Sequence, residues 1–170
     1  MATTTYIGTG EVTSADFKEV TWTGKTKNNK PVIIKLHNAM NMSNIDLTMA
    51  DKDDVVPSVE FQACYNNTNQ ASTSTIEPWE IITDDATTAG ANEILLDAGV
   101  FAIDGTDVGL TRGGGKFTVE RNYREINADG DRGAVKDRVV LTESRAKLSM
   151  NTLTWLTKIT NLYPAVAASV

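Results

Sequence analysis

Gly113-Gly114-Gly115-Lys116 has the look of a phosphate loop. Such a loop needs a glycine five positions before the second one, and a hydroxyl after the lysine to hold magnesium. Here those positions are Leu110 and Phe117, so the stretch reads as a glycine-rich bend before a strand. Asn127-Ala128-Asp129-Gly130-Asp131 offers alternating oxygen ligands, like the first half of a calcium loop. Its turn-glycine position is Arg132 and its twelfth position Arg138, which would repel a cation and cannot chelate it. A plain β-turn is the better reading, and the same holds for Asp51, Asp53 and Asp54. No pair of carboxylates is set apart by context as a glycosidase pair would need. Trp79, in Glu77-Pro78-Trp79-Glu80, could stack a sugar but more ordinarily pins a strand end. His37 reads as a surface histidine. Cys64 reads as a buried or half-buried thiol.

The elements that must position these residues are mostly strands. Thr occurs 23 times in 170 residues, and its branched side chain favours a pleated surface over a helix interior. Residues 1–10 read as an extended polar arm. The segments 17–23 and 31–37 read as a hairpin around a polar turn at 24–30. Ile45, Leu47 and Met49 alternate with Asp46 and Thr48, which predicts a third strand. Val55, Pro57, Val59, Phe61, Ala63 and Tyr65 share one face of a fourth, with Pro57 at an edge or bulge. A loop follows at 66–75, then a short apolar stretch at 76–82 and a linker of small polar residues at 83–93. Ile94–Leu96 and Gly99–Ile103 read as short strands, with turns at Asp104-Gly105 and Gly113–Gly115. Lys116 to Ile126 reads as a long strand, with Phe117, Val119 and Tyr123 on one face and Lys116, Thr118, Glu120, Asn122 and Arg124 on the other. A turn at 129–133 and a return strand at Val135–Leu141 follow. Leu153, Leu156, Ile159 and Leu162 have helical spacing ahead of Pro164, so one helix is expected over about 150–162.

Composition excludes several classes. One cysteine and one histidine leave no intrachain disulfide, no multi-cysteine zinc site and no histidine pair for a metal. No apolar run is long enough to span a membrane as a helix, and Met1–Tyr6 lacks the features of a secretory signal. The net charge of −6 argues against general affinity for nucleic acid. The charge is uneven: Arg112–Lys147 carries nine Lys/Arg against six Asp/Glu, whereas residues 1–111 carry six against sixteen. Opposed charge on one chain can serve head-to-tail self-association, or be paired and solvated within each copy.

A family resemblance rests on particular stretches. Gly109–Arg121, which contains Phe117-Thr118-Val119-Glu120-Arg121, is followed by Ile126–Lys136 with Ala128-Asp129-Gly130. Leu148–Leu153, Leu162-Tyr163-Pro164, Trp22–Lys25, Val32–Leu36, Ala50–Val55 and Val59–Phe61 fit the same pattern. Together they resemble the tail tube (major tail) proteins of long-tailed, non-contractile bacteriophages. The order differs from that family: the segment from Ile94 would be expected to open the chain, and Trp22–Tyr65 to follow the helix. The chain therefore resembles a circular permutation, with halves 1–82 and 94–170 joined through 83–93.

The resemblance implies a mainly β fold, a sandwich or barrel of the tail-tube type with one flanking helix, in which subunits join sheets into a six-membered ring. It implies a structural subunit without catalysis or cofactor, stacked into a hollow tube around a tape-measure protein. Other tail proteins would be partners, DNA would pass transiently through the lumen, and no membrane would be involved. The place would be the virion, after synthesis in the host cytoplasm. Arg112, Lys116, Glu120, Arg121, Arg124, Asp129, Asp51, Asp53 and Asp54 are the candidate interface or lumen residues. The arm at 1–10, the loop at 40–58 and the turn at 104–116 are the candidate interface segments. Two other readings remain: a monomeric carbohydrate-binding β-sandwich using Trp79 or Trp22, and an inner-tube protein of a contractile injection machine.

Overall fold

The structure, a computed structural model, describes residues 3–49, 53–70, 76–83, 95–130 and 132–169, with the side chains of 95–98 left aside. Asp51, Asp131, residues 71–75 and nearly all of the 83–93 linker lie outside the described residues. The strands in chain order are β1 (Thr5–Gly8), β2 (Lys18–Thr26), β3 (Pro31–Asn41), β4 (Ser58–Gln62), β5 (Trp79–Thr83), β6 (Leu95–Ile103), β7 (Thr106–Asp107), β8 (Thr111–Glu125), β9 (Val139–Thr152) and β10 (Val166–Ser169). The helix α1 spans only Ile159–Leu162, preceded by a 3-10 turn at Leu156–Lys158.

The protein is mainly β, with every strand pair antiparallel, and the arrangement is consistent with a sandwich. One layer runs β7-β6-β2-β3, with β5 on the other margin of β3; the second runs β3-β4-β9-β8. β3 serves both. Val32–Leu36 pairs β5, and Met40–Asn41 pairs β4. Alternation along the strands supplies the core: Val20, Leu36, Phe101 and Ile103 from one layer meet Val59, Phe61, Ala146, Leu148 and Met150 from the other. Leu162 and Tyr163 plug one end. Buried Asn41 ties β3 to that plug: its Nδ2 donates to the Leu162 carbonyl at 2.6 Å, while its Oδ1 accepts from the Ser43 amide at 2.8 Å. Gly24 and Gly99, opposite one another on β2 and β6, leave room for the Trp22 indole to lie across the sheet, where any Cβ would collide with it.

Four expectations are corrected. Ile45–Met49 forms no strand; Ile45 and Met49 are exposed, because alternation without a partner strand has no ladder to join. Gly113–Gly115 does not end a strand. β8 runs through it as a bulge, with left-handed φ of 81° at Gly113 and 74° at Gly114. The helix does not begin near 150, because Met150 and Thr152 pair with β4 and β8 and are buried there. The strand after the 129–133 turn starts at Val139, not Val135, and continues to Thr152. Pro57 precedes β4 and is buried, its carbonyl accepting from the Thr152 amide at 3.1 Å.

The chain ends meet. β1 and β10 form a separate two-stranded ribbon, Thr5 opposite Ser169 and Gly8 opposite Val166. Asp16 clasps its base. The carboxylate accepts from the Ala165 amide at 3.0 Å and from the Thr13 amide at 2.7 Å. The Thr13 backbone bond, foremost, holds the Asp16 carboxyl below the usual carboxylate range. A carboxyl lowered on folding adds stability above its unfolded value and loses it as pH falls through the folded one. The Ala165 amide is therefore expected to lose exchange protection only below the ordinary carboxylate range. Asp16→Ala should loosen the ribbon at neutral pH at a cost of roughly 1 kcal/mol. Equal protection of Ala165 in the variant, measured by amide exchange, would refute the clasp.

A candidate assembly surface

The β8–β9 hairpin is longer than the layer it belongs to. Its inner half pairs across β9 to β4, with Lys116, Phe117 and Thr118 opposite Ser149, Leu148 and Lys147. Beyond Arg121 no strand among the described residues backs it. Every residue from Glu120 to Gly130 and from Lys136 to Thr142 is exposed. At about 3.4 Å per residue, Glu120–Glu125 carries the arm roughly 20 Å outward before its turn.

A bulge sets the faces of the arm. Asn122 opposes Glu143 and Tyr123 opposes Leu141, so Thr142 is the extra residue, its hydroxyl donating to the Asn122 carbonyl at 3.0 Å. The offset places Val139 and Leu141 on the same side as Tyr123, continuing the face that bears Phe117 and Val119. All three are exposed on the arm, as are Val140 and Ile126. At its root a groove of about 640 Å³ opens, with Met42, Tyr65, Glu77, Leu141 and Arg145 among its walls. The Tyr65 hydroxyl donates to Glu77 at 3.0 Å; burial first, and that carboxylate second, push it up from the usual phenol range.

The opposite face is polar. Ser58, Glu60 and Gln62 of β4 adjoin Lys147, Ser149 and Asn151 of β9, which adjoin Lys116, Thr118 and Glu120 of β8. Lys147 lies 3.6 Å from Glu60 and 3.4 Å from Glu120. Glu143 accepts from Asn122 at 2.8 Å and pairs with Arg145; those two bonds hold its carboxyl below the usual range. Such exposed pairs contribute little to stability and are weakened by salt.

The structure divides the candidate residues. Lys116, Glu120 and Arg124 share the polar face, as expected. Arg121 points the other way, its guanidinium 5.8 Å from the centre of the Trp79 ring. Arg112 reaches Asp54 at 3.4 Å, which brings the 104–116 turn against the 40–58 loop. Asp53 accepts from the Asp54 amide at 2.9 Å, and Asp129 stands at the tip of the arm. His37 is less isolated than its sequence neighbours implied: on the β2-β3-β5 layer it lies 3.2 Å from Glu80 and 3.8 Å from Glu19, with Lys35 beside both carboxylates. Trp79 packs on Phe117, ring centres 5.7 Å apart, beneath Arg121. Its ring is engaged within the subunit. The Cys64 thiol is half-buried and burial pushes it up from its ordinary range.

The sequence reading missed the apolar side of the arm, because Val139, Val140 and Leu141 look like any returning core strand. The only signal was the charge density of the partner strand, where Glu120, Arg121, Arg124 and Glu125 leave few residues fit for burial. Among the described residues no helix is long and apolar enough to cross a membrane. Comparisons with protein-family models, curated proteins and solved structures found no match.

Proposed function

We propose that this chain is a structural, non-catalytic subunit that assembles head to tail into rings, six-membered in the family it resembles, and stacks them into a hollow tube of the phage-tail type. The tube would enclose a tape-measure protein and then conduct DNA, within a virion made in the host cytoplasm. The observation that carries the reading is the arm. Its apolar side chains Tyr123, Val139 and Leu141 add nothing to the subunit's own core and are exposed in the isolated chain. Isolated proteins rarely leave such a projection bare unless a partner covers it. The margin of β6 from Leu95 to Val100, unpaired among the described residues, adds to this, since unpaired strand edges invite pairing with another copy. The polar face of β4-β9-β8 suits a wall that meets water and phosphate without holding them, its Lys147 and Arg145 compensated by Glu60, Glu120 and Glu143.

The test is negative-stain microscopy with sedimentation of the purified chain over a range of salt concentrations. Rings and tubes are expected, with stacking weakened as salt rises. A chain that stays monomeric at high concentration, with no particles, refutes the proposal. Retention of such a monomer on a polysaccharide column would instead favour the carbohydrate-binding reading. The contractile inner-tube reading predicts the same particles and is separated from the first by a sheath protein made alongside.

A further inference from the structure

The terminal ribbon is the least defended element of the molecule. β1 reads Thr5-Tyr6-Ile7-Gly8 and β10 reads Val166-Ala167-Ala168-Ser169, with no charged residue and no proline in either. Among the described residues neither strand pairs with anything but the other. Only Tyr6 and Val166 are half-covered, and Ile7 is 53% exposed. An isolated two-stranded ribbon is marginal in water, and exposed edges are normally guarded by charge, proline or a bulge. β8 is guarded in that way: it carries Arg112, Lys116, Glu120, Arg121, Arg124 and Glu125, besides its glycine bulge. The ribbon is not.

One other long margin carries a single charge. β6 pairs with β2 on its inner side, while its outer side is covered by β7 at Ala102 and Ile103 and by the Val108 amide, which donates to the Phe101 carbonyl at 2.9 Å. The outer edge from Leu95 to Val100 is unpaired among the described residues, and Asp97 is the single charge in the strand. An uncharged edge and one with a single charge, on a chain of net charge −6, are surfaces on which copies meet with little repulsion.

We infer that β1 of one copy adds, as an antiparallel strand, to the Leu95–Val100 edge of β6 in a second copy, so that the terminal ribbon extends the β2-β6 layer of its neighbour. β10 lies on the body side, where Val166 packs against the core, and this leaves β1 as the outer strand. The two edges are different surfaces of the same chain, so the contact is heterologous and propagates from copy to copy. Backbone amides supply the affinity, as in other cases of strand addition. The Asp16 clasp fixes the angle at which the ribbon leaves the body. This inference rests on the reading that copies of the chain assemble; it specifies the lateral contact and leaves the arm to its own role.

The test is a cysteine pair in the full chain with Cys64→Ser. Ile7→Cys and Val100→Cys lie on exposed positions, 53% and 51%, one on each edge. Under mild oxidation in assembly conditions, the double variant is expected to give a ladder of covalent multimers, whereas each single variant stops at dimers. Circular dichroism matching the parent confirms that the variants fold. Ile7→Lys with Ala168→Lys places charge on the ribbon and is expected to raise the protein concentration needed for assembly at least tenfold. Rings or tubes that form without a ladder, or a lysine variant that assembles like the parent, overturn this contact and leave the tube reading standing. No particles from the parent chain overturn both.

Discussion

Tyr123→Asp combined with Leu141→Asp is expected to leave a folded subunit that no longer assembles. Tyr123 is 59% exposed and Leu141 39%, and they stand side by side on the arm, opposite one another in the β8–β9 register. Neither belongs to the buried core. Charge there should change subunit stability by no more than about 0.5 kcal/mol, the usual range for surface positions. An interface that buries each side chain gains about 1.5–3 kcal/mol per residue, and an unpaired carboxylate in the same place adds a desolvation cost of its own. The combined loss of at least about 3 kcal/mol per contact raises the concentration needed for assembly more than a hundredfold. Sedimentation velocity and microscopy measure that threshold, with a thermal melt as the folding control. Tubes at the parent threshold would show that the arm is a free projection.

The second large effect falls on the core. Phe61 lies at the centre of β4, opposite Asn41 of β3 on one side and Leu148 of β9 on the other, and is 2% exposed. It sits where β3 passes from one layer to the next, so no backbone neighbour can collapse into the space without breaking a ladder. Phe61→Ala is expected to cost about 3–5 kcal/mol, a large share of the ~5–15 kcal/mol that holds a typical domain together. Urea unfolding should show a lower midpoint with an unchanged slope. Phe17→Ala, at an exposed position on the rim, is the contrasting variant and should change stability little. A loss below about 1 kcal/mol for Phe61→Ala would mean that the two layers do not close over this residue.

Much of the fold was legible because local rules and tertiary packing agree along several stretches. The β2–β3 hairpin follows from alternating Val32, Ile34 and Leu36 beside a polar turn with Asn29 in a left-handed conformation. The turn at Asp104-Gly105 follows from residues that tolerate positive φ, 47° and 73°. The polar face of β8 from Lys116 to Arg124 was readable as period-two alternation. Other stretches misled for a physical reason. The spacing of Leu153, Leu156, Ile159 and Leu162 is helical, yet Met150–Thr152 joins β9 because β4 and β8 offer hydrogen-bond partners on both sides. Ile45–Met49 alternates as a strand should, but no neighbouring strand receives it.

The candidate site divides along the same line. The charged residues of the arm could be named from sequence, since their types and spacing are local properties. Their partners could not: Lys147 between Glu60 and Glu120, Arg121 over Trp79, and Arg112 against Asp54 each join strands or loops far apart in the chain. The bulge at Thr142 was also hidden, and it alone turns Val139 and Leu141 to the side of Tyr123.

By itself the amino-acid order determined a threonine-rich, mainly β chain with one cysteine, one histidine and an uneven charge, because composition and period-two patterning are carried residue by residue. Only the tertiary structure decided that β3 is shared by two layers, that the ends of the chain pair as a ribbon, and that half of the longest hairpin stands clear of the core. Those facts depend on which edges find each other across long stretches of sequence. Edge pairing is a property of the assembled backbone, and no single segment records it.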